Sequence, residues 1–225
     1  MKILFVGDSI TQGSLGESFV NKIKLEPNVT ITNLGCNGDT MLVVFQKLML
    51  HLDKKSDYDI VVIQGGYNDL LLPYFKEKSK IFQMAADSQI KRGIIPTSFE
   101  NWENLLKTNI QKVKELFSGK IILVNIGCLG ENLTTALNQK RENFNKIIQK
   151  IVTEENLFLA DIQQEFDGYL KDKKAADYCL DSFWAVTVFD YLRKSRRNLF
   201  LTIDGVHLNN KGAELVANCL KPLIV

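Results

Sequence analysis

Residues 1–13 read MKILFVGDSITQG, an apolar run that ends abruptly in Gly7, Asp8 and Ser9. Lys2–Val6 has the aliphatic and β-branched composition of a buried strand, and the residues that follow it are typical of turns. Two interpretations fit this stretch on its own. Either the strand ends in a plain turn, or Ser9 lies at the strand end because its hydroxyl group reacts. The rest of the chain has to distinguish between them.

Four further short apolar runs follow the first and alternate with longer helical patterns. The predicted strands are Lys2–Val6, Val29–Asn33, Ile60–Gln64, Lys120–Asn125 and Leu157–Ala160. Apolar residues at three- and four-residue spacing predict helices over Thr40–Leu52, Thr97–Phe117 and 137–151, and a last helix from Lys211. Strands that are apolar without alternation indicate a parallel sheet covered on both faces.

The alternation of strands and helices predicts an α/β fold. We expect a flavodoxin-like, three-layer, doubly wound sheet of five parallel strands in the order 2-1-3-4-5, with helices on both faces. The 225 residues are expected to form a single domain. Two connections are longer than this scheme needs, at about 70–96 and 161–200. The second has helical spacing from Leu180 to Leu192, which predicts another helix.

The composition argues against several function classes. The chain is 45% hydrophobic and 24% charged with a net charge of +2, so it lacks the strong basic bias of a nucleic-acid-binding protein. The one basic cluster is predicted to be a solvated helix end rather than a phosphate site. It consists of Arg193, Lys194, Arg196 and Arg197. No apolar run reaches the ~18–20 residues that a membrane span needs, so we expect neither nucleic-acid nor membrane partners.

The cysteine pattern indicates a reducing compartment. The four are scattered along the chain without the spacing of a metal site or a C-x-x-C motif. We therefore expect reduced thiols and no bound metal, and the first residues do not have the pattern of a secretory signal. These observations predict a cytoplasmic protein.

Polar residues that can support acyl transfer follow several of the predicted strands. The sequence reads GDSIT after the first strand, NLGCNGDT after the second, GYND after the third and DGVH near the carboxyl terminus. These loops open at one edge of a doubly wound sheet, so the groups can converge. Ser9 needs a base to take its proton, and His207 can serve, with Asp204 three residues earlier to orient it. The backbone N–H groups of Ser9 and Gly35 and the amide of Asn68 can stabilise an oxyanion.

These four sequence blocks, in this order, resemble those of the SGNH (GDSL-type) hydrolases, a family of serine esterases and lipases. The resemblance extends from Gly7 to His207. It implies an acyl ester substrate and no cofactor. It also implies a catalytic triad of Ser9, Asp204 and His207 and an oxyanion hole formed by Ser9, Gly35 and Asn68.

Other polar and aromatic residues of the chain are expected to have no catalytic role. Asp8 is expected to bond nearby backbone amides rather than to react, and His51 is interpreted as a surface residue. Tyr67 stands where many members of the family have a smaller residue, and it is expected to narrow the acyl side of the pocket. Aromatic residues at helical spacing are more often core than substrate-binding. On that ground we leave Tyr74, Phe183 and Trp184 out of the predicted site.

The sequence thus predicts a serine ester hydrolase that cleaves a small acyl ester through an acyl-enzyme on Ser9. A small intracellular ester such as an acetylated carbohydrate is the expected substrate. One alternative is a non-catalytic flavodoxin-like module that binds phosphate or a nucleotide, but the first loop lacks the glycine pattern of phosphate-binding loops. Another alternative is an acyltransferase with the same triad, in which an acceptor alcohol replaces water. The oligomeric state is not predicted.

Overall fold

A five-stranded sheet forms the centre of the molecule in a computed structural model, which describes residues 1–23, 29–78, 80–180 and 198–225. All neighbouring strands run parallel, in the order β2-β1-β3-β4-β5. The predicted α/β class and strand order are therefore confirmed. The strands are β1 (Lys2–Val6), β2 (Thr30–Asn33), β3 (Ile60–Gln64), β4 (Lys120–Val124) and β5 (Phe158–Ala160).

The three central strands form the core of the sheet. Residues 60–64 of β3 are all buried, and the four apolar residues of β1 have no exposed surface. The expectation that every strand is covered on both faces is wrong for the two outer strands, since β2 exposes three of its four residues and β5 exposes Phe158. These two strands are the edges of the sheet, where each has a neighbour on one side only.

Helices follow every strand. The helices predicted after β2, after β4 and at the carboxyl terminus lie close to their expected bounds, as does the one that precedes β4. None of the described helices is both long and apolar enough to cross a membrane. The described helices are α1 (Ser9–Gln12), α2 (Phe19–Lys22), α3 (Met41–Leu52), α4 (Tyr67–Lys78), α5 (Lys80–Lys91), α6 (Phe99–Leu116), α7 (Ala136–Glu154), α8 (Ile162–Leu170) and α9 (Asn210–Ile224).

The first long connection is a pair of helices rather than an extended loop. Helix α4 begins directly after β3, and α5 packs against it through Phe75 and Phe82, whose ring centroids are 5.0 Å apart. Within the second connection, α8 is described. The helix predicted over 180–192 and the basic cluster at 193–197 lie outside the described residues, except for Leu180. The pair α4–α5 matters for the site because its first turn carries the third sequence block.

Candidate active site

The predicted nucleophile lies at the carboxyl edge of the sheet. Strand β1 ends at Val6, and Ser9 is the first residue of the short helix α1. Asp8 caps this helix, because its carboxylate accepts a hydrogen bond of 2.9 Å from the Ile10 N–H. The expected role of Asp8 is thereby confirmed. The cap fixes the sharp change from strand to helix that directs Ser9 out of the sheet edge.

A chain of hydrogen bonds joins Ser9, His207 and Asp204. The Ser9 hydroxyl oxygen is 3.1 Å from His207 Nε2, and His207 Nδ1 is 2.6 Å from Asp204 Oδ2. A carboxylate can only accept, so Nδ1 carries the ring proton and Nε2 is left to accept the serine proton. All three side chains are buried, with Ser9 8% and His207 7% exposed. This is the geometry that a serine nucleophile with a general base requires.

The loop that carries Asp204 and His207 is held in place by the Asp204 carboxylate, which bonds two N–H groups of the same loop. Asp204 Oδ1 accepts the N–H groups of Val206 at 3.0 Å and of His207 at 2.8 Å. Its second oxygen is thereby left for the imidazole. Gly205 between them has a φ of +89°, a conformation that glycine adopts without strain. The three-residue spacing therefore lets one carboxylate orient both the backbone and the ring.

Glu131, in the loop after β4, supports this segment and was not predicted. Its side chain is 1% exposed, and Oε1 accepts the N–H groups of Leu201 at 2.8 Å and Thr202 at 2.7 Å. The same oxygen accepts the Thr202 hydroxyl at 2.6 Å, and Oε2 accepts the N–H of Phe200. The side chain of Glu131 thereby bonds four groups of residues 200–202, three of which are backbone N–H groups. A lone glutamate in a loop has no sequence signal that would identify this role.

The structure contradicts the predicted role of Gly35 in the oxyanion hole. Its N–H is already donated to Asn33 Oδ1 at 2.9 Å, in a turn closed by that side chain. A Cβ on Gly35 would lie 2.3 Å from the backbone nitrogen of Gln12. Gly35 is therefore needed for close packing of the second loop against α1. Its N–H is not available to a substrate.

Gly38, in the same sequence block, lines the pocket that contains Ser9, whereas Gly35 does not. It lines the pocket beside Ser9 with a φ of +86°, and its N–H donates to no other described residue. A Cβ there would meet nothing closer than Gln89, 3.8 Å away, so this glycine faces open space. Of the two glycines in NLGCNGDT, Gly38 is therefore the one whose N–H is open to the pocket, and only the fold reveals which N–H is already bonded.

Asn68 lies in the pocket as predicted. Its amide donates one hydrogen bond of 2.9 Å to the Asp39 carbonyl, and the second N–H of that amide remains for a ligand. Asp39 follows Gly38 directly, so this bond fixes Asn68 relative to Gly38. Ser9, Gly38 and Asn68 can therefore present three N–H donors to a single oxyanion.

Asp69 connects the loops around Asn68 and is fully buried. Its two oxygens accept the N–H of Met41 at 2.8 Å and the N–H of Thr97 at 2.7 Å. Burial raises the pKa of Asp69 to about 6, and it also raises the pKa of Asp8 to about 6. Asp69 holds the start of α4, and with it Asn68, against the start of α3.

The expectation for Tyr67 is wrong. Its ring is 1% exposed, and its hydroxyl oxygen accepts the N–H of Gly127 at 2.8 Å, away from the Ser9 pocket. Tyr74 lines a separate cleft on the other side of α4, while Phe183 and Trp184 lie outside the described residues. His51 is half-buried rather than a surface residue, and its Nε2 is 2.8 Å from the Tyr58 hydroxyl.

The class of protein follows from the fold and the site together. A parallel α/β sheet with a serine, a histidine and an aspartate bonded in series at its carboxyl edge is typical of enzymes that hydrolyse ester bonds. The model of the GDSL-like Lipase/Acylhydrolase family matches residues 5–215. The chain belongs to this family, which confirms the SGNH (GDSL-type) resemblance, and it is a hydrolase of ester bonds.

Similar solved structures have the same fold at low sequence identity. An acetyl xylan esterase shares 20% identity over 100% of both chains, with a TM-score of 0.67. A catalytic mutant of an acetylxylan esterase from Geobacillus stearothermophilus shares 20% identity over 99% of this chain and 93% of that one, with a TM-score of 0.66. An alpha/beta hydrolase from the metagenome of Lake Arreo, Spain, shares 17% identity over 97% and 92%, with a TM-score of 0.64. No curated protein sequence matches the chain.

Proposed function

We propose that this hydrolase is a serine esterase that cleaves a small acyl ester through a covalent acyl-enzyme on Ser9. The observation that supports this proposal is the series of hydrogen bonds from Ser9 Oγ to His207 Nε2 and from His207 Nδ1 to Asp204. It begins in a pocket that contains two further N–H donors, on Gly38 and Asn68. A binding module would need none of this alignment.

In the first half-reaction, His207 Nε2 takes the proton of Ser9 as the hydroxyl oxygen attacks the ester carbonyl carbon. The carbonyl oxygen becomes an oxyanion and accepts hydrogen bonds from the N–H groups of Ser9, Gly38 and Asn68. The imidazolium is stabilised by Asp204 and then gives its proton to the leaving alcohol oxygen. The bond from the carbonyl carbon to that oxygen breaks, which leaves the acyl group on Ser9.

The second half-reaction releases the acid. His207 takes a proton from water, the water oxygen attacks the acyl carbon, and the same donors hold the second oxyanion. The proton returns to the Ser9 oxygen as the ester bond to the enzyme breaks. An acceptor alcohol in place of water would make the reaction an acyl transfer, and the two outcomes differ in their products.

We propose that the substrate is a carbohydrate ester, in which the sugar is the alcohol component. Two of the similar structures are acetyl xylan esterases, and the side chains of Asn37 and Gln89 supply polar groups to the pocket. We also propose that the enzyme acts in the cytoplasm. All four cysteines are free thiols, which is usual in a reducing compartment.

The test is hydrolysis of p-nitrophenyl acetate and of a peracetylated sugar by the wild-type enzyme and by Ser9→Ala. We expect activity that falls to the background rate in Ser9→Ala while the variant keeps its folded circular dichroism spectrum. Equal activity of the two proteins would contradict the proposal. Addition of a sugar alcohol to the assay separates hydrolysis from transfer, because only a transferase would form a new ester.

A further inference from the structure

One face of α4 leads away from the oxyanion donors and is apolar. Asn68, Leu71, Leu72 and Phe75 are spaced at i, i+3, i+4 and i+7, so they lie along the same side of the helix. All four line the pocket that contains Ser9. The helix that supplies an oxyanion donor thus also supplies a continuous apolar wall beside it.

The reaction geometry assigns this wall to one part of the substrate. The attacked carbon carries four groups in the tetrahedral intermediate: the Ser9 oxygen, the oxyanion, the leaving oxygen and the acyl chain. The oxyanion faces Gly38 and Asn68, and the leaving oxygen must lie beside His207 Nε2, which protonates it. The acyl chain is the remaining group, and the α4 face is the wall beyond Asn68 that can receive it.

Further apolar residues line the same pocket, and its volume is large for an acetyl group. Leu15, Leu180 and Val206 also line the pocket, together with the polar side chains of Asn37 and Gln89, and the cavity volume is about 170 Å³. An engineered apolar cavity of about 150 Å³ in another protein binds benzene, a six-carbon ring. This volume also has to hold the carbonyl group and the start of the alcohol, but the single methyl group of an acetyl ester would cover little of the apolar α4 face.

We infer that the α4 face forms an acyl-binding site for groups of about four to six carbons, and that such esters are better substrates than acetyl esters. This inference rests on the proposed serine esterase function. It assigns a role to the long connection at about 70–96, whose first helix provides the wall. Burial of a methylene group favours binding by roughly fourfold, so butyrate should exceed acetate by roughly 15-fold in kcat/KM.

The experiment is a series of p-nitrophenyl esters from acetate to decanoate with the wild-type enzyme and Ser9→Ala. We expect kcat/KM to rise from acetate through butyrate to hexanoate and then to fall when the chain exceeds the cavity. Acetate as the fastest substrate, with activity that depends on Ser9, would overturn the inference and leave the esterase proposal intact. No Ser9-dependent hydrolysis of any ester would instead overturn the esterase proposal, and this inference with it.

Two variants that fill the cavity distinguish a specific acyl-binding site from a general preference for hydrophobic esters. Leu71→Trp adds bulk on the α4 wall, and Leu15→Trp adds it from a half-buried loop position that tolerates change more readily. Each should lower the ratio of hexanoate to acetate hydrolysis at least tenfold. The matched control is Ile81→Trp on α5, where the side chain is 74% exposed, and its ratio should equal that of the wild type. An unchanged ratio in both filling variants would overturn the inference.

Discussion

Glu131→Gln tests how the catalytic loop is held. In the wild type, Oε1 accepts three hydrogen bonds and Oε2 accepts the N–H of Phe200. The amide of glutamine has nearly the same shape and can keep the three bonds to its oxygen. Its NH₂ group, however, then faces the N–H of Phe200, so two donors meet where a donor and an acceptor met before.

The magnitude follows from these contacts. An unpaired buried N–H costs about 1–3 kcal/mol, and each remaining bond weakens by about 1 kcal/mol when its acceptor loses its charge. These effects are not additive, and we expect the free energy of unfolding to fall by about 3 kcal/mol. The loop displaced by this change carries Asp204 and His207, so kcat should fall about tenfold or more while KM changes little.

The assay combines urea denaturation with ester hydrolysis. Glu142→Gln is the matched control, because Glu142 is a half-exposed glutamate on α7 whose partner is the exposed Lys146. A surface pair of this kind is worth about 0–1 kcal/mol, and the control should resemble the wild type in both measurements. If Glu131→Gln unfolds at the wild-type midpoint and retains wild-type kcat, the reasoning about this loop is refuted.

Three other predictions concern the site. Asn68→Ala should lower kcat by about 10²–10³ in ester hydrolysis, while the loss of its bond to the Asp39 carbonyl should lower the free energy of unfolding by only about 1 kcal/mol. A smaller loss of kcat would exclude Asn68 from the oxyanion hole. Gly35→Ala should lower stability in thermal unfolding and keep kcat, because its Cβ would collide with α1. Gly38→Ala should lower kcat, and it should also lower stability by about 1 kcal/mol because alanine is strained at a φ of +86°. A loss of kcat in Gly35→Ala but not in Gly38→Ala would restore Gly35 to the oxyanion hole. Burial raises the pKa of Asp8 from 3.8 to about 6. The folded state therefore binds this proton more tightly than the unfolded state, so the wild type loses stability as pH rises from 4 to 7. Urea titrations should find that Asp8→Asn, which has no such proton, gains up to about 3 kcal/mol of stability relative to wild type over this range. A difference that does not depend on pH would contradict this.

The sequence predicted the sheet well because its central strands are buried on both faces. A residue such as Val62 in β3 has no polar neighbour facing solvent, so the apolar run is visible without knowledge of the fold. The edge strand β2 was located despite its exposure because the turn residues that follow it mark its end. Short polar sequence blocks of the same kind carry Ser9, Asn68, Asp204 and His207. These site residues could therefore be named from the sequence.

The remaining features depend on contacts between distant residues. Helix α4, which begins at Tyr67 and contains Pro73, was not predicted, and a proline inside a helix is unfavourable enough to obscure such a pattern. The choice between Gly35 and Gly38 depends on a hydrogen bond from one of them to Asn33, and Glu131 acts on a segment 69–71 residues away. No local sequence pattern encodes such pairings.

The central claim is that Ser9 becomes acylated during turnover. The most direct measurement is rapid acid quenching of the wild-type enzyme with p-nitrophenyl butyrate, followed by mass spectrometry of the intact protein and of its peptides. His207→Ala after brief exposure to the ester serves as the comparison in which the base is missing. We predict one butyryl group, located on the peptide that contains Ser9 and absent from Ser9→Ala and from His207→Ala. A butyryl group on another residue, or the same modification in Ser9→Ala, would contradict the account.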